Sequence, residues 1–153
     1  MCSIKFGKSS LQSFWLRILL EYEAKSLPFR IRFFSLATLM EFADSPIIVH
    51  PKLFGLHPSD IISRILRTTR HPWLMKDRTC LRQGLLAYRF LRAAGFQPEL
   101  HFGIDSESLH ASVLRAHCWV VMDGKIVVNP PTAKMVRIFR YPFEHSRVAK
   151  QIN

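Results

Sequence analysis

An α+β fold is predicted for this chain of 153 residues by a change of rhythm along it. Apolar residues recur at helical spacing up to Gly95, alternate with a period of two beyond it, and flank Asp123-Gly124 as two strands flank a hairpin turn. Helices first and antiparallel strands afterwards pack as one helical layer against one sheet.

The elements follow in order. Leu11, Phe14, Trp15, Ile18, Leu19 and Tyr22 give a first helix one wide apolar face, and Pro28 ends or follows that helix. A second helix is expected over Ile31 to Phe42. The prolines at 46, 51 and 58 with Gly55 describe an irregular connector. Ser59 or Asp60 can cap a third helix reaching about Thr69, and His71-Pro72-Trp73 then breaks the pattern. The fourth helix begins at Thr79, a good N-cap residue, and stops before Gly95, which suits the C′ position. Strands are expected at Gln97 to Ile104, Leu109 to Leu114, His117 to Met122, Lys125 to Asn129 and Val136 to Tyr141. Residues 1–70 form a helical N-terminal region and 71–153 a core, the two together making one compact domain.

Composition narrows the function. Lys and Arg number 22 against 11 acidic residues, for a net charge of +11. The basic residues are scattered singly among apolar neighbours, without a run or an RNA-binding aromatic motif. That pattern favours an acidic peptide, partner or lipid surface over nucleic acid. A mean hydropathy of +0.07 is high for a small monomer, which is met either by apolar surface that faces a partner or a membrane or, more plainly, by a phenylalanine-rich core. The early apolar stretch, Phe14 to Leu20, contains Arg17 and falls short of the ~20 residues that span a bilayer, so no transmembrane helix is expected. Three cysteines, Cys2, Cys80 and Cys118, cannot all pair within the chain and lack a metal spacing, which points to free thiols, the cytoplasm, and neither metal nor cofactor.

Cys80 lies in the first turn of the fourth helix, where unpaired N–H groups and the positive end of the dipole favour a thiolate, although a free cysteine is more commonly a small buried apolar residue. A thiol nucleophile needs a base from another element, and His117, opening a strand, is the best placed of seven histidines. Its ring is expected to face a helix packed on the sheet. Asn129 can orient that ring if Met122-Asp123-Gly124 makes a three-residue turn, which sets His117 opposite Asn129. With a two-residue Asp-Gly turn, Cys118 opposes Asn129 instead and the amide points to the other face. Asp105 and Glu107 are alternative acids. Cys118 reads as core, Cys2 as a terminal bystander. Trp73, Arg115 and Trp119 are candidate substrate contacts, and Trp73 serves equally as a core or lid residue.

The segment T-C-L-R-Q-G-L-L-A-Y-R-F-L-R-A-A-G-F, followed by E-L-H-F-G-I and A-H-C-W-V-V-M-D-G-K-I-V-V-N, resembles the transglutaminase-like leader peptidases of lasso peptide biosynthesis. These are related to the C-terminal part of the microcin-processing B protein. The resemblance covers about Trp73 to Asn129 and implies a transglutaminase-like, papain-like cysteine protease fold. It carries over Cys80 as nucleophile and His117 as base, and puts Asn129 where the family usually has an aspartate. It further implies a peptidase that cuts a ribosomal precursor peptide between leader and core. The leader would be held by a separate recognition protein, and the freed core passed to an ATP-dependent lasso cyclase. Two other readings are a transglutaminase-like acyl transferase and a non-catalytic basic module that binds peptide or nucleic acid.

Overall fold

Four helices precede a four-stranded antiparallel sheet in the computed structural model, which describes residues 8–45, 53, 55–70 and 78–142. Trp73, Cys2 and most of the connector expected between Pro46 and Pro58 lie outside the described residues.

Helix α1 (Lys8–Phe33) continues through Pro28, contrary to the expected stop. Leu27 and Ile31 on either side of that proline are buried, so packing offsets the backbone bond it removes. The apolar face read from the sequence coincides only in part with the buried one, where Leu19 packs against the core. Leu16, Leu20, Ala24, Leu27 and Ile31 enter the core, while Leu11, Phe14, Ile18 and Tyr22 face outward. Periodicity cannot choose between two apolar faces, and the inner one here carries the smaller, aliphatic side chains that let helices approach closely.

Helix α2 spans Leu36–Asp44 and does not start at Ile31, because Ser35 interrupts the pattern as an N-cap whose hydroxyl accepts from the Thr38 N–H. Helix α3 spans Pro58–Thr68. Its N-cap is His57, two residues before Ser59, the nearer of the two candidates the sequence suggests. Ring Nδ1 of His57 accepts from the Ser59 N–H, and Pro58 takes the first helical position, which its fixed φ suits.

Helix α4 (Thr79–Ala93) is the axis of the molecule. Its N-cap is Arg78, in the left-handed region at φ 55°, so Thr79 is the first helical residue and not the cap. It ends as predicted. Gly95 at φ 96° donates to the Arg92 carbonyl and Phe96 to that of Leu91, a Schellman closure. Every residue from Gly84 to Leu91 is buried. Helices α1 to α3 cover one side of α4, and the sheet covers the other with Leu100, Phe102, Cys118, Val120 and Val128. Gly84 is what allows that approach, since a Cβ there would lie 2.7 Å from Cys118 Sγ.

The sheet runs β3-β2-β1-β4 in space, with β1 Glu99–Asp105, β2 Ala116–Met122, β3 Lys125–Val128 and β4 Met135–Tyr141. The strand expected over Leu109 to Leu114 is absent. Ser106–His110 forms a 3-10 turn capped by Asp105, and the Ser108 hydroxyl donates to the Asp105 carbonyl and accepts from the Arg115 N–H. A polar Ser-Glu-Ser run bonds its own backbone more readily than a ladder, which leaves Leu109, Val113 and Leu114 exposed. At the far end of the sheet, Tyr88 and Tyr141 both donate to the Asp44 carboxylate, at 3.0 and 2.7 Å. Burial and that carboxylate push the Tyr141 hydroxyl up to about 12.

Candidate active site

The β2–β3 hairpin turns on two residues, with Met122 paired to Lys125 and both Asp123 (φ 51°) and Gly124 (φ 74°) in the left-handed region that a type I′ turn requires. Further along, a bulge between Val120 and Val121 pairs Val120 with Val128. The register therefore slips one residue the opposite way from the three-residue register that would set Asn129 against His117. Strand β3 then stops, because Asn129 itself adopts φ 53° and turns the chain out of the ladder. Asparagine is among the few residues that tolerate this conformation.

That turn makes Asn129 the junction of the site, by other atoms than expected. Its side-chain amide donates to the Cys80 backbone carbonyl at 3.0 Å, and its own backbone carbonyl lies 3.1 Å from His117 Nε2. Cys80 and His117 are thus each one hydrogen bond from the same residue. The Asn129 side chain does not orient the imidazole; the main chain does.

The chemistry of the ring follows. A carbonyl only accepts, so Nε2 carries the proton and the lone pair of a neutral imidazole is left on Nδ1. His117 leaves β2 on the face opposite Cys118, and Cys118 packs on α4. The expectation that the ring faces α4 directly is therefore corrected. The imidazole lies beside Trp119, ring centroids 6.2 Å apart, and meets Asn129 where β3 has ended and the edge of β2 is open.

Cys80 is half-buried at the second position of α4. The helical ladder starts only with the Arg82 N–H bonded to the Arg78 carbonyl, so the Cys80 N–H precedes it in the first turn. Cys118 is core, as predicted. Burial pushes its thiol well up, and the nearby Cys80 sulfur acts in the same direction.

The other candidates are placed differently. Arg115 is largely exposed, its guanidinium 3.7 Å from Asp105, and it fastens the β1–β2 connection. Trp119 is 5% exposed and packs between the rings of His117 and His101. Asp105 caps its own turn and Glu107 pairs with Lys134 at 2.6 Å, so both alternative acids are bonded elsewhere. Sequence reasoning missed the group behind the imidazole. His101, buried, bonds Glu99 at 3.0 Å and shares its sheet face with Trp119 and His117. Alternation along β1 and β2 would have grouped them.

The sequence model of one family, described as the transglutaminase-like superfamily, matches residues 26–140, about three quarters of the chain. The chain belongs to the transglutaminase-like superfamily. The matched segment of this transglutaminase-like protein contains α2, α3, α4, β1 to β3 and all but the last residue of β4, and with them Cys80, His117 and Asn129. Members of the transglutaminase-like superfamily are often catalytic, as cysteine peptidases or acyl transferases. No match was found among curated proteins or among solved structures.

Proposed function

We propose that this chain is a cysteine peptidase that removes the leader from a lasso peptide precursor in the cytoplasm, with Cys80 as nucleophile and His117 as base. The observation that carries the reading is the double attachment of Asn129, which ties the Cys80 backbone and the His117 ring into one assembly. The superfamily and the motif running from Cys80 to Asn129 support it.

In this mechanism His117 Nδ1 takes the Cys80 thiol proton, and the sulfur attacks the carbonyl carbon at the leader–core junction. The displaced electron pair goes to the carbonyl oxygen, which the Cys80 N–H stabilises. Collapse breaks the C–N bond, His117 returns the proton to the departing amine, and the leader remains as a thioester. Water, losing a proton to His117, releases the leader as a carboxylic acid and restores the thiol. The freed amino terminus of the core is the group that a separate ATP-dependent synthetase would acylate. A separate recognition protein holds the leader.

Mass spectrometry of a precursor incubated with the protein and the recognition protein is expected to show free leader and a core with a free amino terminus. Leader joined to an added amine would assign the acyl transferase reaction instead. An intact precursor that is bound but never cut would refute the peptidase.

The same assay checks the role of Asn129. Asn129→Gly removes only the amide bond to Cys80 and leaves the carbonyl that holds His117, so a fall in kcat/KM of about tenfold is expected, the value of one polar hydrogen bond. Asn129→Ala should cost more, because its Cβ must also adopt a positive φ. A loss from Asn129→Gly as large as that from His117→Ala would show that the side chain, not the main chain, positions the imidazole.

A further inference from the structure

The outward face of α1 is as apolar as its buried face. Leu11, Phe14, Ile18, Tyr22, Phe29 and Phe33 follow one another at intervals that keep them on one side of the helix, and each is between 43% and 68% exposed. From Leu11 to Phe33 the stripe is about 33 Å long at 1.5 Å per residue. Four of these residues, Leu11 to Tyr22, precede the segment that the superfamily matches, so they lie outside what the chain shares with that family.

The charges on this side have one sign. Lys25 and Arg32 are exposed within the apolar stripe. The two acids of the helix are used elsewhere: Glu21 bonds Arg17 at 3.2 Å, and Glu23 is buried against Arg89. A second copy of the chain is a poor occupant, since two such faces would set like charges together on molecules of net charge +11. A folded protein partner would need a groove shaped to a convex single helix. A lipid surface needs no such complement. Phenylalanine and tyrosine settle at the boundary between headgroups and acyl chains, and lysine and arginine stems lie along apolar surface while their heads reach phosphates. Among the described residues no helix is long and apolar enough to cross a membrane, so α1 would lie in the plane of the surface.

We propose that α1 is an interfacial helix that docks this protein on an anionic membrane. Leu11, Phe14, Ile18, Tyr22, Phe29 and Phe33 enter the headgroup boundary, and Lys25 and Arg32 meet lipid phosphates. Docking and peptide cleavage stand on different residues, so each can fail without the other.

Co-sedimentation of the full chain with vesicles tests this. Binding to phosphatidylcholine mixed with phosphatidylglycerol is expected to exceed binding to phosphatidylcholine alone by at least about tenfold, and to weaken with added salt. Phe14→Ser, Phe29→Ser and Phe33→Ser together should abolish it, with the thermal unfolding curve unchanged because these side chains are exposed. Lys25→Glu with Arg32→Glu should remove the preference for the anionic vesicles. Equal binding by the wild type and the triple serine variant would overturn the proposal, showing adsorption through general charge. So would failure to sediment with either vesicle, including the case where the wild type instead self-associates and the triple variant does not.

Discussion

Cys80→Ala is expected to lower precursor cleavage by about a thousandfold or more, because no other group supplies the sulfur that carries the leader between the two half-reactions. Cys118→Ala is the control that makes this result specific. The two sulfurs are neighbours, yet Cys118 is 2% exposed, packed against Gly84, with its thiol held neutral by burial. Its replacement should leave cleavage nearly intact and cost stability of about 1 kcal/mol, through the cavity it opens. Iodoacetamide followed by peptide mapping should find label on Cys80 in the folded protein and on Cys118 only after denaturation. Activity that survives Cys80→Ala, or vanishes in a folded Cys118→Ala, would reverse the roles of the two residues.

Much of this was legible before the fold was known, and the exceptions share a cause. The change from helical to alternating period places α1 to α4 and β1 to β4 in order, and Gly95 and Asp123-Gly124 mark their turns, because these signals are local. Proline is a local signal too, but Pro28 lies inside α1 because the buried neighbours Leu27 and Ile31 decide there. The inner face of α1 was readable only in part for the same reason. Which of two apolar faces turns inward depends on what α4 presents, and Glu23 is drawn in by Arg89. At the site, Cys80 and His117 stand out by residue type and element. The way they are joined does not, because it rests on a bulge at Val120/Val121 and on the left-handed backbone of Asn129. A bulge of one residue reverses every register argument made from turn length.

The largest expected loss of stability lies away from the site, at the pair that anchors α4 to the helices behind it. Arg89 is buried on α4 and bonds Glu23 of α1 at 3.2 Å, the Ser45 carbonyl at 2.7 Å, the Ser45 hydroxyl at 2.9 Å and the Phe42 carbonyl. Its guanidinium also lies 4.2 Å from the centre of the Phe42 ring. Burial works against the charge and Glu23 works for it, so each ion is tolerated inside only because of the other. Arg89→Met would leave Glu23 buried without its cation and would take from the Ser45 carbonyl the guanidinium that donates to it, while the Phe42 carbonyl keeps the Ser45 N–H and hydroxyl. A loss of about 3–5 kcal/mol in unfolding free energy is therefore expected, read from the shift in urea midpoint. Glu23→Leu combined with Arg89→Met should recover much of it, since an apolar pair leaves no unbalanced charge in the core. If Arg89→Met alone costs less than about 1 kcal/mol, water or another cation must reach Glu23, and α4 is held by its apolar side chains without this pair.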